Sequence, residues 1–408
     1  MSALGIARHW QLDSLSMSPS ALSDVGSAVI GSGFIGTVHI EALRRIGVQV
    51  RGLLGSTAER AAESAAKLGV PRAYRDLDEL LADTSVQVIH VTSPNKMHFP
   101  QVQQILAAGK HVDCEKPLAM DIGESAELVR LAEAAAVRGQ VSAVNHNIRF
   151  YPVNQHLHDL VADGALGDIR LISGHYFQDW LLYDTDWNWR LEPEEGGQLR
   201  AVGDIGSHWT DLTSFISGLR VAEVMADLAT FIPIRQQPSG PVETFSTDRA
   251  GQTVPREIRT EDMATVLMRY TNGARGVFAV SQLAAGRKNH LQYEIDGSRG
   301  AAAWEQENPD QLWLGHRDAP NEILLRNPAL MGAHGRAAST LPAGHVEGFA
   351  DTHAAHFRAV YADVVAGGPS PNSVYATFAD GHEAMLIGDA IATSSRTGAW
   401  TTIKREAP

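Results

Sequence analysis

Three glycines near the start of the chain have the spacing of a phosphate-binding turn. Gly31, Gly33 and Gly36, with Phe34 and Ile35 between them, spell G-x-G-x-x-G after a strand-like stretch and before a helical one. In this context the first glycine permits a tight turn, the second lets backbone approach a pyrophosphate, and the third lets helix pack on strand. The amides at the helix N-terminus receive the negative charge. The motif predicts a dinucleotide site, and a generic glycine-rich turn is the alternative.

The residues after the second expected strand bear on the choice between NAD and NADP. A dinucleotide motif of this kind ordinarily has an acidic residue about 20 positions on, which binds the ribose 2′-hydroxyl. Here no carboxylate stands at the strand end, and Ser56, Thr57 and Arg60 occupy this neighbourhood instead. Two hydroxyls and a guanidinium suit a 2′-phosphate, so we expect NAD or NADP, with NADP favoured. The alternative is that Ser56 caps the following helix and Arg60 is a solvated surface residue.

Further polar residues follow in the order and spacing of a known enzyme family. They are Thr92, Ser93, Pro94, Asn95 and His98, then Glu115, Lys116 and Pro117, and later Asp204, Ile205, Gly206, Ser207 and His208. Together they resemble the Gfo/Idh/MocA family of glucose-fructose oxidoreductase and inositol dehydrogenase relatives. The resemblance implies an NAD(P)-dependent dehydrogenase or reductase acting on a hydroxyl or keto carbon of a sugar, glycoside or polyol. It also implies that the residues from Thr92 to Lys116 in this set, together with Asn145, line the cofactor.

The same resemblance assigns the catalytic roles. In that family the lysine of Glu-Lys-Pro reaches the reacting hydroxyl and the Asp-x-x-x-His pair completes the site, which corresponds here to Lys116, Asp204 and His208. Alcohol oxidation needs a group that takes the hydroxyl proton, and an imidazole with a pKa near 6.5 suits that task. A lysine ammonium stabilises negative charge that develops on the oxygen. Relatives also have a cis peptide between the residues equivalent to Lys116 and Pro117.

Helical spacing supports the pairing of the aspartate and the histidine. If the segment after Gly203 is α-helical, Asp204 and His208 lie on one face at positions i and i+4. Asp211 shares that side and is expected to orient the imidazole. The alternative is that Asp204 caps the helix and His208 is a hydrogen-bonded core residue.

Three residues outside these motifs are expected to contact the substrate. Trp189 and Arg190 lie in an aromatic and basic run, where an indole can stack on a pyranose and a guanidinium can hold its hydroxyls. His345 lies in a late loop similar to one in sugar-acting relatives. A buried tryptophan and a loop-structuring histidine are the alternatives. Arg149, at the junction between domains, is expected to be a structural anchor.

Two other functions fit the same residues. Some relatives are NAD-dependent glycosidases that oxidise a sugar carbon transiently, eliminate the aglycone and return the hydride to the retained cofactor. The other possibility is a non-catalytic dinucleotide sensor, because fold does not determine function. The joint presence of Lys116, Asp204 and His208 argues against a sensor.

The pattern of apolar stretches predicts the elements that position these residues. Strand-like stretches at 27–30, 48–54, 86–91, 110–114 and 141–145 alternate with helical stretches at 37–46, 58–68, 77–82, 97–108 and 122–138. This alternation is typical of repeated βαβ units, so we expect an α/β Rossmann domain with a parallel sheet.

The rhythm changes after Asn145. Helices are expected at 154–163 and 204–216, strands at 169–180, 222–230, 263–270, 274–283, 291–296 and 301–305, and closing helices at 347–366 and 373–393. An Asn-Gly pair at Asn272 and Gly273 predicts a hairpin. Segments 233–259 and 321–342 are expected to be long loops. We therefore expect an α+β domain with a large, mostly antiparallel, open-faced sheet.

These patterns divide the chain into three parts. Residues 1–24 are expected to be a flexible N-terminal extension, 25–146 the NAD(P)-binding Rossmann domain, and 147–408 the domain for substrate binding and oligomerisation. Relatives suggest a homodimer or homotetramer paired through the open sheet.

Composition excludes several classes of partner. The net charge of −13 over 408 residues disfavours nucleic acid, because binding to a phosphate backbone requires clustered Lys and Arg. No apolar run approaches the roughly 20 residues of a membrane span. Cys114 is the only cysteine, so no intramolecular disulfide can form, and a reducing, cytoplasmic location is expected. No metal site is expected.

Overall fold

The fold is described from a computed structural model, which covers residues 22–240 and 252–405. Residues 1–21, most of the expected N-terminal extension, lie outside the described residues, as do residues 241–251 of the expected loop 233–259. In the described part, no helix is both long enough and apolar enough to cross a membrane.

Seven strands form the first sheet, which is the expected Rossmann sheet. They are β1 (Gly26–Ile30), β2 (Gln49–Leu54), β3 (Ala73–Tyr74), β4 (Val88–Val91), β5 (His111–Cys114), β6 (Ser142–Val144) and β17 (Ala376–Thr377). Their order across the sheet is β17, β6, β5, β4, β1, β2, β3, and all neighbours pair in parallel except β17 with β6. Strands β1 and β4 are buried along their whole length, as central parallel strands covered on both faces must be.

Five helices connect these strands. They are α1 (Phe34–Arg45), α2 (Ala58–Leu68), α3 (Leu77–Ala82), α4 (His98–Ala107) and α5 (Ile122–Ala136). The side chain of Thr57 caps α2, and Gly69 ends it in the left-handed conformation with φ of +62°. Asp121 caps α5 in the same way as Thr57 caps α2. Local capping signals therefore place the helix starts close to the expected positions.

A nine-stranded sheet dominates the rest of the chain. Its strands are β7 (Ile169–Phe177), β8 (Val221–Ala229), β11 (Met263–Tyr270), β12 (Arg275–Ser281), β13 (His290–Gly297), β14 (Ala301–Glu305), β15 (Gln311–Gly315), β16 (Glu322–Leu325) and β18 (Thr401–Thr402). The order is β16, β15, β14, β13, β7, β12, β11, β8, β18, and only β7 and β12 pair in parallel. Along β11 buried and exposed residues alternate, so one face of this sheet is open.

Helices cover the other face of the large sheet. They include α6 (Pro152–Ala162), a π-helical turn (Val202–Gly206) continuous with α8 (Ser207–Ser217), and α11 (Phe378–Thr397). Three other helices pack elsewhere: the short α7 (Pro193–Gly196) on the turn after β4, α9 (Ala333–Ala338) on α6, and α10 (Phe349–Ala366) on the first domain. Trp209 of α8 stacks on Phe278 of β12, with ring centroids 4.7 Å apart, at the centre of this core.

Several expectations about this part of the chain were wrong. The expected loop 233–259 contains an antiparallel pair, β9 (Ile234–Pro238) and β10 (Thr253–Glu257), and the expected loop 321–342 contains β16 and α9. Strands β3 and β15 were not expected at all. Every residue of β10 is exposed, so this strand lacks the apolar alternation that marks a half-buried strand. The helix expected to begin at Asp204 instead starts earlier, with the π turn.

The end of the chain returns to the first sheet. Ala376 and Thr377 in β17 pair with Val144 and Ala143 of β6, and α10 packs on α1. The Rossmann sheet is thus completed by residues more than 200 positions later in sequence than β6.

Candidate active site

The glycine motif forms an open cradle at the start of α1. A Cβ atom added at Gly33 would meet nothing within 4 Å, and no side chain caps the amides of α1. Gly31 has φ of +104°, and a Cβ on Gly36 would lie 2.2 Å from the Gly31 carbonyl oxygen. Gly31 and Gly36 are therefore required for the turn and the packing, whereas Gly33 faces free space beside the N-terminal amides of α1. This arrangement fits the pyrophosphate of a dinucleotide.

Ser56, Thr57 and Arg60 are exposed beyond the end of β2. The hydroxyl of Thr57 accepts a hydrogen bond from the Arg60 backbone N–H at 3.2 Å. Thr57 rather than Ser56 is therefore the helix cap. The side chains of Ser56 and Arg60 lie at the surface where the adenosine ribose of a dinucleotide is expected.

The polar residues after β4 hold the strand ends in place. Thr92 Oγ1 donates to the Ile30 carbonyl at 2.8 Å, and Ser93 Oγ donates to Gln101 Oε1 at 2.7 Å. The ring nitrogens of His98 lie 2.7 Å from the Pro117 carbonyl and 2.9 Å from that of Ser93. Thr92 and His98 thus position the turns after β1, β4 and β5, and the structure gives both side chains protein partners.

Asn95, which follows Pro94, joins the first domain to the segment before the π turn. Its Nδ2 donates to the Gly196 carbonyl at 2.8 Å, and the neighbouring Lys96 Nζ lies 2.5 Å from Glu195 Oε1. The helix α7 is thereby tied to the turn after β4, on the side where the cofactor is expected.

Lys116 and Asp204 form a buried ion pair between the two domains. Lys116 Nζ donates at 2.8 Å both to Asp204 Oδ1 and to the backbone carbonyl of Asp204. Arg190 Nε lies 3.2 Å from Asp204 Oδ1, and Gln282 Nε2 donates to Oδ2 at 3.0 Å. The bond between Lys116 and Pro117 is cis, as the resemblance implied. Burial alone would raise the pKa of Asp204, but the charges of Lys116 and Arg190 lower it, so this carboxylate stays ionised.

The π turn that carries Asp204 is held by the carboxylate of Glu261, which lies two residues before β11. Glu261 is buried and accepts hydrogen bonds from the backbone N–H groups of Arg200, at 2.9 Å, and of Val202, at 2.8 Å. These amides begin the helix and would otherwise lack partners. π turns often occur at functional sites, because the extra residue redirects a side chain. Here Asp204, inside the turn, precedes His208 by four residues.

His208 is a buried imidazole with an unpaired nitrogen. Its side chain is 9% exposed, and its Nδ1 has no hydrogen-bond partner among the described residues. Burial lowers the pKa of His208 well below its usual value, and the charges of Lys116 and His146 lower it further. Glu115 and Asp204 act in the opposite direction. His208 is therefore neutral near pH 7 and able to accept a proton.

Asp211 does not orient His208, contrary to the expectation. Its carboxylate binds Arg149 at two points, with Nε to Oδ2 at 2.7 Å and Nη2 to Oδ1 at 2.5 Å. Its nearest histidine is His146, whose Nδ1 lies 3.7 Å away. Arg149, which is 5% exposed, is the interdomain anchor that the sequence suggested.

A chain of buried side chains behind Lys116 was not identified from the sequence. Tyr361 Oη lies 2.9 Å from His90 Nε2, His90 Nδ1 lies 3.1 Å from His39 Nδ1, and His39 Nε2 lies 3.1 Å from Glu115 Oε1. A neutral imidazole has one N–H, so the chain is satisfied when every donor points towards Glu115. Asn145 Nδ2 also donates to Glu115 Oε1, at 2.5 Å. Burial would raise the pKa of Glu115, but its hydrogen bonds with His39 and Asn145 and the charge of Lys116 lower it overall.

The same buried side chains have the ligand types of a metal site. Two groups, His39 with Glu115 and His353, and His39 with His90 and Asp113, have ligand atoms within 4.8 Å of one another. Both groups depend on His39, and its two ring nitrogens already take part in the hydrogen-bond chain. We therefore interpret the cluster as a hydrogen-bonded network. Of the residues in this network, only Glu115 and Asn145 belonged to a motif that could be recognised in the sequence. The others lie far apart along the chain, so their spacing could not predict the network.

The expected substrate-contacting residues are not all brought together. The guanidinium of Arg190 lies 4.4 Å from the ring centroid of Trp189 and contacts Asp204. Both residues are thus at the rim of the site. His345 is exposed, and its ring Nδ1 lies 3.4 Å from the Ala343 carbonyl oxygen. Neither cavity at Lys116 includes His345 in its lining.

Two cavities meet at Lys116. The smaller one, with about 250 Å³ of space, is lined among others by Asn95, Lys116, Arg190 and Asp204. The larger one has about 970 Å³, including space open to solvent, and lies towards α8 and α11. Of the catalytic residues expected from sequence, Lys116 and Asp204 line the smaller cavity, whereas His208 lines neither cavity. The smaller cavity lies at the carboxyl ends of β4 and β5, where ligands of open α/β sheets bind.

Comparison with known proteins gives matches to both halves of the chain. Residues 25–143 match a model described as an oxidoreductase family with an NAD-binding Rossmann fold, and residues 154–303 match the Gfo/Idh/MocA C-terminal domain. A levoglucosan dehydrogenase of Pseudarthrobacter phenanthrenivorans is 28% identical over 395 residues, which cover 94% of this chain and 99% of the relative.

Solved structures agree with these matches. The crystal structure of an oxidoreductase domain protein from Kribbella flavida has a TM-score of 0.84 and 30% identity, and covers 94% of this chain and 100% of its own. A levoglucosan dehydrogenase in complex with NADH and L-sorbose has a TM-score of 0.83 and 26% identity, with 94% and 99% covered. The similarity therefore extends over both domains and includes the candidate site.

Proposed function

The chain belongs to the Gfo/Idh/MocA family of oxidoreductases, and from this premise we propose that it oxidises a hydroxyl-bearing carbon of a sugar or polyol, or reduces the matching ketone. The observation that carries the proposal is the ion pair of Lys116 with Asp204, at 2.8 Å, beside the neutral His208. A nicotinamide dinucleotide held through its pyrophosphate at the glycine cradle would supply the acceptor or donor of hydride. Levoglucosan dehydrogenase, a relative that matches this chain over nearly its full length, has a sugar-derived substrate in its name.

Each residue of the site has a separate task in this reaction. The ammonium of Lys116 stabilises negative charge on the reacting oxygen. His208 takes the hydroxyl proton, because its depressed pKa keeps it neutral near pH 7. Asp204 holds Lys116 and Arg190 in place and remains ionised. Trp189 and Arg190 lie at the rim, where they can contact the ring and hydroxyls of a sugar.

A screen of sugars and polyols tests the proposal. We expect reduction of NAD or NADP, followed by absorbance at the nicotinamide band, with one or more pyranose, anhydrosugar or inositol substrates. Complete lack of cofactor reduction and of ketone reduction across the panel would contradict it. Release of nitrophenol from nitrophenyl glycosides without net cofactor reduction would instead identify a redox-assisted glycosidase.

The protein binds NAD-type dinucleotides, and we further propose a preference for NADP. The support is the absence of a carboxylate at the end of β2 and the exposed side chains of Ser56 and Arg60 at that position. Since Thr57 is engaged in capping α2, Ser56 and Arg60 are the groups left to receive a 2′-phosphate.

The variant Arg60→Ala tests this preference. Loss of the guanidinium should weaken binding of NADP by about 1.5–3 kcal/mol, the range for a hydrogen bond to a charged group, and leave NAD nearly unchanged. Calorimetric titration with both cofactors measures the difference, and Arg44→Ala, which changes another exposed arginine bonded to backbone carbonyls, is the control. Tighter binding of NAD than NADP by the unmodified protein would refute the preference.

We also propose that copies of this chain pair through the open face of the nine-stranded sheet. A row of residues in register crosses that face from β8 to β16. Its members are Met225, Leu267, Val277, Ser173, Glu294, Ala303, Trp313 and Ile323. Leu267 is 46% and Ile323 56% exposed, and apolar side chains concentrated on one sheet face are typical of an interface between protein subunits.

A further inference from the structure

The larger cavity shares Lys116 with the smaller one but extends along α8, which the smaller cavity does not touch. Its lining includes Gly206, Ser207 and Thr210 of the π turn and α8, but not Asp204 or His208. Successive helix positions point in different directions, so this cavity is on another face of α8 from the reacting centre. Small side chains of α11, among them Ala384 and Gly388, form the opposite wall. The space, about 970 Å³, is open to solvent.

His146 stands between this cavity and His208. It lines the cavity together with Lys116 and is only 2% exposed. Its ring is perpendicular to that of His208, with centroids 5.5 Å apart. Its Nδ1 is buried without a hydrogen-bond partner among the described residues, 3.7 Å from Asp211 Oδ2. None of these contacts gives the imidazole of His146 a structural role.

We propose that His146 relays the proton of the reaction between His208 and water in the large cavity. The inference rests on the proposed function. In the direction of oxidation the substrate loses a C–H and an O–H bond, and its hydride with both electrons goes to the nicotinamide. The hydroxyl proton goes to His208, then to His146, and then to water. In the direction of reduction the same proton travels inwards.

The charges around His146 suit a relay that does not trap the proton. Burial lowers the pKa of His146, and the nearby charges of Arg149 and Lys116 lower it further, whereas those of Asp211 and Asp380 raise it. The pKa of His208 is held well below its usual value. Both imidazolium forms are therefore short-lived, and each ring returns to its neutral state after the proton has passed. This route also lets the proton leave through the larger cavity while the product is still bound in the smaller one.

The variant His146→Phe keeps an aromatic ring but cannot carry a proton. Stopped-flow measurements in weak buffer with a pH-indicator dye follow proton release, and nicotinamide absorbance follows hydride transfer in the same mixture. We expect hydride transfer in the first turnover to change by less than about twofold and proton release to slow by about 10-fold or more. His156→Phe, which removes another buried histidine that bonds the Gly332 amide, should change neither rate.

A second variant and a rescue experiment separate the relay from a packing role. His146→Ala opens space onto the cavity, so added imidazole should restore proton release in a saturable way that depends on the pKa of the added buffer. Ala384→Phe narrows the cavity from the far wall without touching His146, and it should also slow proton release. Failure of imidazole to rescue, together with an unchanged rate in Ala384→Phe, would overturn the proposal.

Access from solvent can be measured without any cofactor. Deuterium exchange at the imidazole C2 position, read by mass spectrometry, should be faster at His146 than at His39 and His90, which are both 0% exposed. Equal exchange at all three would show that the cavity does not bring water to His146, and would overturn the relay.

Fast hydride transfer with unaltered proton release in His146→Phe would also overturn the relay while the proposed function stands. Absence of hydride transfer in the unmodified protein would overturn both.

Discussion

At the scale of single residues, two cations share one carboxylate at the reacting centre. Lys116 Nζ and Arg190 Nε both contact Asp204 Oδ1, at 2.8 and 3.2 Å. A pair of cations that share one anion, with Lys116 largely buried and Arg190 partly exposed, favours a further negative charge nearby. The substrate oxygen becomes negative as it loses its proton, so Lys116 and Arg190 would stabilise it. This accounts for the position of both cations and of Asp204 at the smaller cavity.

Replacement of Lys116 or His208 should affect the chemical step. A positioned acid or base contributes about 10²–10⁴-fold, so His208→Ala should lose roughly that factor in single-turnover hydride transfer and still bind cofactor. Lys116→Met should lose a comparable factor, because the neutral side chain keeps the packing but cannot stabilise an alkoxide. Lys96→Met, which removes a lysine paired with Glu195, is the control. An unaltered hydride-transfer rate in either variant would remove that residue from the reacting shell.

The depressed pKa of His208 predicts where activity falls in acid. The neutral imidazole is the active base, so kcat/KM for oxidation should remain flat on acidification until the pH reaches the lowered pKa, below the usual value of 6.5. Lys116 contributes to that lowering through its charge. In Lys116→Met the acid limb should therefore move to higher pH, and a pH–rate profile from about pH 5 to 9 measures the shift. An acid limb at or above pH 6.5 in the unmodified protein would contradict the assignment.

The roles of residues that belong to a motif could be predicted from the sequence, whereas roles that depend on distant partners could not. The cis bond at Lys116–Pro117 and the meeting of Lys116 with Asp204 followed from the family pattern. Asp211 was placed correctly on the helix but assigned the wrong neighbour, because Arg149 competes for it more strongly. The sequence could not predict that His90 and Tyr361 help to hold Glu115, because 271 positions separate His90 from Tyr361.

At the scale of elements, the glycine turn and the π turn are the two pieces of backbone that the chemistry requires. The glycine turn was readable because its three glycines have fixed spacing. The π turn was not, because its cause is Glu261, which arrives from a different segment to bind the first amides. Strands β9 and β10 were also missed, because β9 is mostly polar and every residue of β10 is exposed, so neither has an alternation of apolar and polar residues.

Two glycine variants should separate binding from folding. Gly33→Val adds a side chain where a Cβ meets nothing, so the protein should fold normally and lose dinucleotide binding in calorimetry. Gly36→Ala places a Cβ 2.2 Å from a backbone oxygen, so stability should fall by about 1–3 kcal/mol in denaturant unfolding. Unchanged cofactor affinity in folded Gly33→Val would show that the cradle does not hold the pyrophosphate.

At the scale of the whole molecule, the open sheet sets the expected assembly. Leu267 is the second residue in the row that crosses this face, and a charge there should disrupt a self-complementary apolar contact. Leu267→Glu should therefore reduce the molecular mass measured by light scattering to that of one chain. Val137→Glu, at a residue that is 89% exposed on the C-terminal end of α5, should leave the mass unchanged. A monomeric unmodified protein would refute pairing through this face.

The return of the chain to its first sheet has a consequence for synthesis on the ribosome. Domains generally fold as units, with the N-terminal one first. Here β6 gains its edge partner only when residues 376 and 377 have emerged, and the buried Asp113 gains His356 at 2.7 Å almost as late. The nascent nucleotide-binding half therefore waits, with an open strand edge and an unpaired buried carboxylate, until nearly the whole polypeptide has been translated. Pulse proteolysis of stalled nascent chains should show protection of residues 25–146 only after about residue 377 is exposed, so the two halves become stable together.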